Sequence, residues 1–214
     1  MTNAKVPHLS DEKIWKIIYI FFYCSVPPVL LVLTITLVYG IVNSRVVAND
    51  FMIVFFQQSI PIFVCYGVIP CLSFNLIEKK SLQEIGIKKS KYLWIDLLNI
   101  FVVLSFGAYL LAEGVFGEEA RIWVIHYLFV AISEEILVRG IILFELKAML
   151  KKRWLAILIS AVIFSLVFHS TDGTWINMLY RIPFGLITGI LYEKTDSLTT
   201  SVSFHWIYDV LLSV

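Results

Sequence analysis

Long apolar runs, separated by short charged or glycine-containing stretches, set the pattern of this chain. They cover residues 17–42, 51–77, 92–113, 122–148, 154–170, 175–193 and 200–214. Most reach or approach the roughly 20 residues a helix needs to cross a bilayer. The pattern predicts an all-α fold, a polytopic transmembrane bundle of about seven helices. The sixth run carries Arg181, and the seventh is too short to span untilted. The first run exceeds the roughly 7–15 residues of a signal-peptide core and is followed by no small-residue cleavage site. It is expected to be retained as the first helix.

Composition agrees. Hydrophobic residues are 59% of the chain and charged residues only 15%, whereas a soluble domain is about half apolar and a quarter charged. The net charge of +1 says nothing about partners, but the placement of Lys and Arg does. Lys5, Lys13 and Lys16, the five lysines between 78 and 91, the four basic residues between 147 and 153, and Lys194 fall on one side of the seven runs. Only Arg45 and Arg121 fall on the other. By the positive-inside rule the N-terminus is cytoplasmic, in the cell membrane, and seven crossings put the C-terminus outside. The stretch 78–91 reads either as a short interfacial helix ending in a turn at Gly86 or as a solvated loop. Without repeats or a linker the chain is one domain: residues 1–121 carry the first helices and the basic loop, residues 122–214 a core of further helices. Cys24, Cys65 and Cys71 lie in apolar segments without metal-ligand spacing and are expected to be free thiols.

The chemistry concentrates in the fourth run. Glu134, Glu135 and Arg139 sit at its middle, where each ionisable group costs about 2.5–3.5 kcal/mol on insertion scales. Glu135 and Arg139 are four residues apart, on one helical face where they can pair. Glu134 is turned by about 100° and points elsewhere. One glutamate is thus expected to be held as structure, the other left free, unless the whole is a structural ion network. His169 ends the fifth run, and His205 and Asp209 lie four apart in the last. At 1.5 Å per residue, Glu134 and His169 both fall roughly 21–23 Å from the inner ends of their helices and can face each other. His205 falls only about 8 Å along its segment, so either residues 194–200 dip into the bundle or the segment ends lie a turn away from where the apolar runs put them. A glutamate with two histidines is also a ligand set for catalytic zinc. Pro183, Gly185 and Gly189 allow close helix approach or a bend that opens room for substrate. Arg181 could meet a substrate carboxylate or pair with Glu113 or Glu135. His126 is expected at the outer interface and Asp96 at the inner boundary of the third helix.

Assembled in this order, the residues resemble the CPBP (Abi) family of intramembrane proteases, which includes the CAAX prenyl endopeptidases. The family pattern is Glu-Glu-x3-Arg, then Phe-x3-His, then His-x3-Asn or Asp. Glu134, Glu135 and Arg139 match the first, His169 the second, and His205 with Asp209 the third, over about residues 122–214. Phe184-Gly185, Gly189 and Ser197-Leu198 are similar as well. Two positions depart. Ser165 stands where the family has phenylalanine, and the ring sits one place earlier at Phe164, turned by about 100°. Asp209 stands where asparagine is commoner, and its added charge favours a bound cation.

The resemblance implies a membrane-embedded metalloendopeptidase acting on a membrane-associated peptide or protein, with the lipid bilayer as its other partner and no nucleic acid. It implies Glu134, His169, His205 and Asp209 as catalytic residues and as ligands of a divalent metal, Zn2+ first, with Glu135 and Arg139 supporting the site. Prenyl-protein maturation and bacteriocin self-immunity are the roles it suggests, the small chain leaning toward the latter. A catalytically idle scaffold or immunity protein that binds another membrane protein is the competing reading. A proton-coupled transporter is disfavoured by the absence of internal symmetry.

Overall fold

The computed structural model describes residues 11–45, 53–112, 118–170 and 172–213. Seven helices run through them: α1 (Asp11–Arg45), α2 (Phe55–Glu78), α3 (Leu93–Ala112), α4 (118–149), α5 (Arg153–Phe168), α6 (174–195) and α7 (Leu198–Leu212). Each coincides with one of the seven apolar runs, so the all-α expectation holds. Local chemistry fixes the ends. Asp11 and Glu12 occupy the first turn of α1, where carboxylates meet the positive end of the helix dipole. Asp96 in the first turn of α3 accepts the Ser90 N–H at 2.7 Å, which places it at that helix's boundary. The Ser197 hydroxyl accepts the Thr199 N–H and caps α7. Lys79 and Asp196 end α2 and α6 in the left-handed conformation, with φ of 54° and 56°.

Among the described residues, three helices are long and apolar enough to cross a membrane: Asp11–Ile41, Phe55–Glu78 and Leu93–Leu110. The fold is that of a helical membrane protein. The count of three, not seven, has a physical source: α5 is apolar but shorter, and the later helices carry the charged residues. The first and third of these spans form the rim. Val32, Leu33, Phe101 and Leu104 are each more than 60% exposed, a surface that water would penalise and acyl chains accept.

Helix α4 is the axis. Every residue from 133 to 143 is buried, and Leu137, Val138, Ile141, Ile142 and Leu143 are fully so. Stretch 78–91 is neither an interfacial helix nor a free loop. It is a chain of turns plugged into the core by Ile85, which is fully buried. Gly86 follows at φ 86°, and an added Cβ there would lie 2.5 Å from the Tyr192 ring. This loop carries the α6–α7 connection: Leu198 N–H donates to the Gly86 carbonyl at 3.0 Å, Ser197 Oγ to that of Lys88 at 2.8 Å, and Lys91 N–H to that of Thr195 at 2.9 Å. Thr195, Ser197 and Leu198 are buried as a result. The connection does dip into the bundle, and α7 begins two residues before 200, which together bring His205 deeper than the sequence places it. The three cysteines are free.

Helices α5 and α6 touch through glycine. A Cβ on Gly185 would meet Ala161 Cα and Cβ at 3.0 Å, and one on Gly189 would meet Ile157 Cγ2 at 2.9 Å. Of the two uses open to these glycines, close approach is the one the structure makes. Gly185→Val therefore forces the helices apart and is expected to cost about 1–3 kcal/mol, read as a lower unfolding midpoint in bicelles. Gly40→Ala on α1, where nothing lies within 4 Å, is expected to leave the midpoint unchanged or raise it.

Candidate active site

Three stretches of widened, π-type turn surround the polar cluster: Ile136–Ile142 in α4, Phe164–Phe168 at the end of α5, and Asn177–Arg181 in α6. Such turns hold an extra residue and so re-aim side chains relative to a regular helix. Glu134 and Glu135 stand immediately before the first, His169 immediately after the second.

Glu135 is fully buried and shared. One oxygen lies 3.5 Å from Arg139 Nε, the other 2.9 Å from His205 Nδ1. Arg139, also fully buried, donates through Nε and Nη2 to Thr188 Oγ1, the former at 3.0 Å. Its guanidinium lies over the Phe164 ring, 4.8 Å from the centroid. One chain of contacts thus ties α4, α6 and α7. Glu134 turns away from it. Its Oε2 lies 3.7 Å from His169 Nε2 and 3.7 Å from His205 Nε2, and His205 Nε2 is 3.2 Å from Asp209 Oδ2. All four of Glu134, His169, His205 and Asp209 are brought together. The Glu134 Oε2 and His169 Nε2 atoms are buried without a hydrogen-bond partner, an arrangement that costs stability.

Phe164 corrects one expectation. Its ring is fully buried, 4.7 Å from the His169 ring and 5.9 Å from that of His205. The one-residue shift from the motif is absorbed because the wide turns Phe164–Phe168 add a residue per turn, so the ring still reaches the site. Ser165 points instead to α6, its Oγ donating to Asn177 Oδ1 at 2.9 Å. Phe184 and Tyr208 complete an aromatic wall, with Phe184 4.8 Å from His205 and 4.5 Å from Tyr208.

Two further expectations are corrected. Arg181 does pair with an acid, but with Asp172 rather than Glu135: its Nε lies 2.9 Å from Asp172 Oδ2, while Glu135 is occupied by Arg139 and His205; Glu113 lies outside the described residues. His126, expected at the outer interface, is buried within the bundle, with Nδ1 3.0 Å from Ser59 Oγ on α2. Thr188, Tyr208, Asp172 and Asn177 were not legible as site residues, and Phe184 was legible only as part of a family-like stretch. Asp172 lies in a Ser-Thr-Asp-Gly-Thr stretch that reads as an ordinary turn.

The donor set suits a divalent cation in kind, offering two imidazole nitrogens and two carboxylates with orphaned Glu134 Oε2 and His169 Nε2 facing each other. Among the described residues, however, no three His, Cys, Asp or Glu side chains are gathered as a coordination shell. Fit in kind is present; a formed metal centre is not.

The family model described as "Type II CAAX prenyl endopeptidase Rce1-like" matches residues 116–211. No curated protein and no solved structure matches the chain. A CAAX-protease-like domain is therefore found over part of the chain, running from the start of α4 to the last turn of α7.

Thr188 is the one acceptor in this cluster that can be removed without changing volume. Thr188→Val strands the Arg139 Nε and Nη2 donors in the core and is expected to cost about 1–3 kcal/mol, measured as a fall in unfolding midpoint with helix content retained.

Proposed function

We propose that this chain is an intramembrane endopeptidase in which Glu134 and the two histidines activate water against a peptide bond. The observation that carries the reading is the placement of Glu134. Its Oε2 faces both imidazole Nε2 atoms at 3.7 Å and has no hydrogen-bond partner of its own. A buried carboxylate used only for structure is expected to hold a close, permanently charged partner. Glu135 has the 2.9 Å His205 bond on one oxygen and the Arg139 guanidinium 3.5 Å from the other, which likewise makes no hydrogen bond. Glu134 Oε2 has only the two imidazoles. In the proposed reaction, the water oxygen bonds to the scissile carbonyl carbon and its proton passes to Glu134. As the C–N bond breaks, Glu134 returns that proton to the leaving amine. Glu135 accepts from His205 Nδ1, directing Nε2 toward the reacting groups. The wall of Phe164, Phe184 and Tyr208 limits water on one flank. Glu134, His169, His205 and Asp209 are the residues that would hold a divalent ion, zinc first. Bound there, the ion would polarise the carbonyl as a Lewis acid.

Access has a direction. Between Glu134 and the basic stretch 147–153, α4 buries Leu137, Val138, Ile141, Ile142 and Leu143 fully, and its two buried charges there, Arg139 and Glu145, are paired with Glu135 and Lys16, a barrier to water. Asp172 and Arg181, each about a quarter exposed or less at 26% and 20% for their side chains, lie at the opposite end. With the basic loops cytoplasmic, the site opens outward. This supports a membrane-associated peptide or protein met from the outer leaflet, as in immunity to a membrane-active peptide.

The test is proteolysis in reconstituted liposomes, with a farnesylated CAAX peptide and host membrane extract as substrates, each with and without chelator. Glu134→Gln and His169→Ala are expected to lower cleavage at least about 100-fold while accumulating at native levels, and chelator sensitivity decides whether metal participates. No cleavage by the native protein, with a cellular phenotype that survives Glu134→Gln, would establish the idle scaffold instead.

A further inference from the structure

Two chains of the same kind converge on Glu134. The first is built from the motif residues: Arg139 Nε to Glu135 Oε2 at 3.5 Å, Glu135 Oε1 to His205 Nδ1 at 2.9 Å, His205 Nε2 to Glu134 at 3.7 Å. The second reaches the motif residues His169 and Glu134 through two residues outside every motif: Arg181 Nε to Asp172 Oδ2 at 2.9 Å, Asp172 Oδ2 to His169 Nδ1 at 3.8 Å, His169 Nε2 to Glu134 at 3.7 Å. In each, an arginine holds a carboxylate, the carboxylate faces an imidazole Nδ1, and Nε2 is left toward the same glutamate oxygen.

The second chain is held in place by α6. Asn177 is 3% exposed, and its Nδ2 donates to the His169 carbonyl at 3.1 Å and the Asp172 carbonyl at 3.2 Å. Its Oδ1 accepts from Ser165 Oγ at 2.9 Å. One buried amide thus closes the turn that follows α5 and fixes both residues of the histidine–carboxylate pair. Arg181, one helical turn beyond Asn177, sets the carboxylate from the same helix. An imidazole that must present one ring nitrogen is oriented by what binds the other.

We propose that Asp172, set by Arg181 and by the Ser165–Asn177 clamp, is a positioning residue that fixes the ring orientation and tautomer of His169. It acts through His169 and touches no substrate. The 3.8 Å separation is a facing contact that shortens when the site is engaged, as contacts in unliganded sites do. This rests on the endopeptidase reading for its kinetic consequence, but not for its structural one.

The experiment uses full-length protein in liposomes and two readouts. Cleavage of a quenched-fluorescence farnesylated CAAX peptide gives kcat and KM. Nitrogen-15 NMR of histidine-labelled protein gives the His169 tautomer, assigned by its loss in His169→Gln among the four histidines of the chain. Asp172→Ala is expected to lower kcat about 10–100-fold with KM within about twofold, and to convert His169 from a single Nδ1–H tautomer to a mixture while leaving His205 unchanged. Asp172→Asn, which keeps an acceptor, should hold most of the native tautomer. Should Asp172→Ala fail to accumulate, Arg181→Gln asks the same question and should also mix the His169 tautomers. An unchanged tautomer would overturn the proposal, as would kcat, KM and unfolding midpoint all falling together. If the native protein cleaves nothing, the endopeptidase reading fails and the tautomer measurement alone decides this one.

Discussion

One buried carboxylate, Glu135, organises this protein. It is inaccessible to solvent and divides its two oxygens between Arg139, four residues along the same helix, and His205 on α7. A charge at that depth is tolerable only when partners and hydrogen bonds replace water. Arg139 must in turn be satisfied, and Thr188 on α6 supplies the acceptor. Three helices are therefore fixed at one level by a requirement of electrostatics, and the apolar packing around them follows. Removing any member leaves another buried and unpaired, so the network sets the register of α4, α6 and α7 more sharply than interchangeable apolar contacts could.

What the network positions is a second set of groups, whose Glu134 Oε2 and His169 Nε2 atoms are buried without hydrogen-bond partners. Glu134 shares the helix with Glu135 yet faces two imidazole nitrogens without bonding to either. The argument for function is the difference in partners between neighbouring glutamates: Glu135 holds a 2.9 Å hydrogen bond and a guanidinium, Glu134 Oε2 only imidazoles at 3.7 Å. Packing alone would not retain such a carboxylate beside the fully buried Leu137, Val138, Ile141, Ile142 and Leu143. The widened turns at Ile136–Ile142 and Phe164–Phe168 belong to the same arrangement. They aim Arg139, Phe164 and His169 at angles a regular helix would not give.

Much of this was legible in the sequence because it is periodic. The four-residue spacings Glu135 to Arg139 and His205 to Asp209 put partners on one face, and both pairs are close in the structure. Matched depth along α4 and α5 brought Glu134 opposite His169. What was not legible depends on contacts between helices that no spacing encodes. Arg181 and Asp172 are nine residues apart across a turn, Thr188 reaches Arg139 from a different helix, and Ser59 reaches His126 across the α2–α4 contact. His126 looked interfacial because it lies near the outer end of α4, and the approach of α2, through Ser59, buries its ring. Residues 78–91 misled for a related reason: their charges suggest a headgroup-facing element, but Ile85 and the hydrogen bonds to the α6–α7 connection anchor the loop in the core.

The central claim is that Glu134 is kept for chemistry at a cost in stability, while Glu135 is kept for structure. It is tested without a substrate by unfolding in bicelles, comparing the native protein with Glu134→Gln and Glu135→Gln. The account predicts that Glu134→Gln is as stable as the native protein or more so, whereas Glu135→Gln loses roughly 3–5 kcal/mol, the cost of breaking a buried pair. An equal loss for Glu134→Gln would make the cluster a structural ion network and contradict the account.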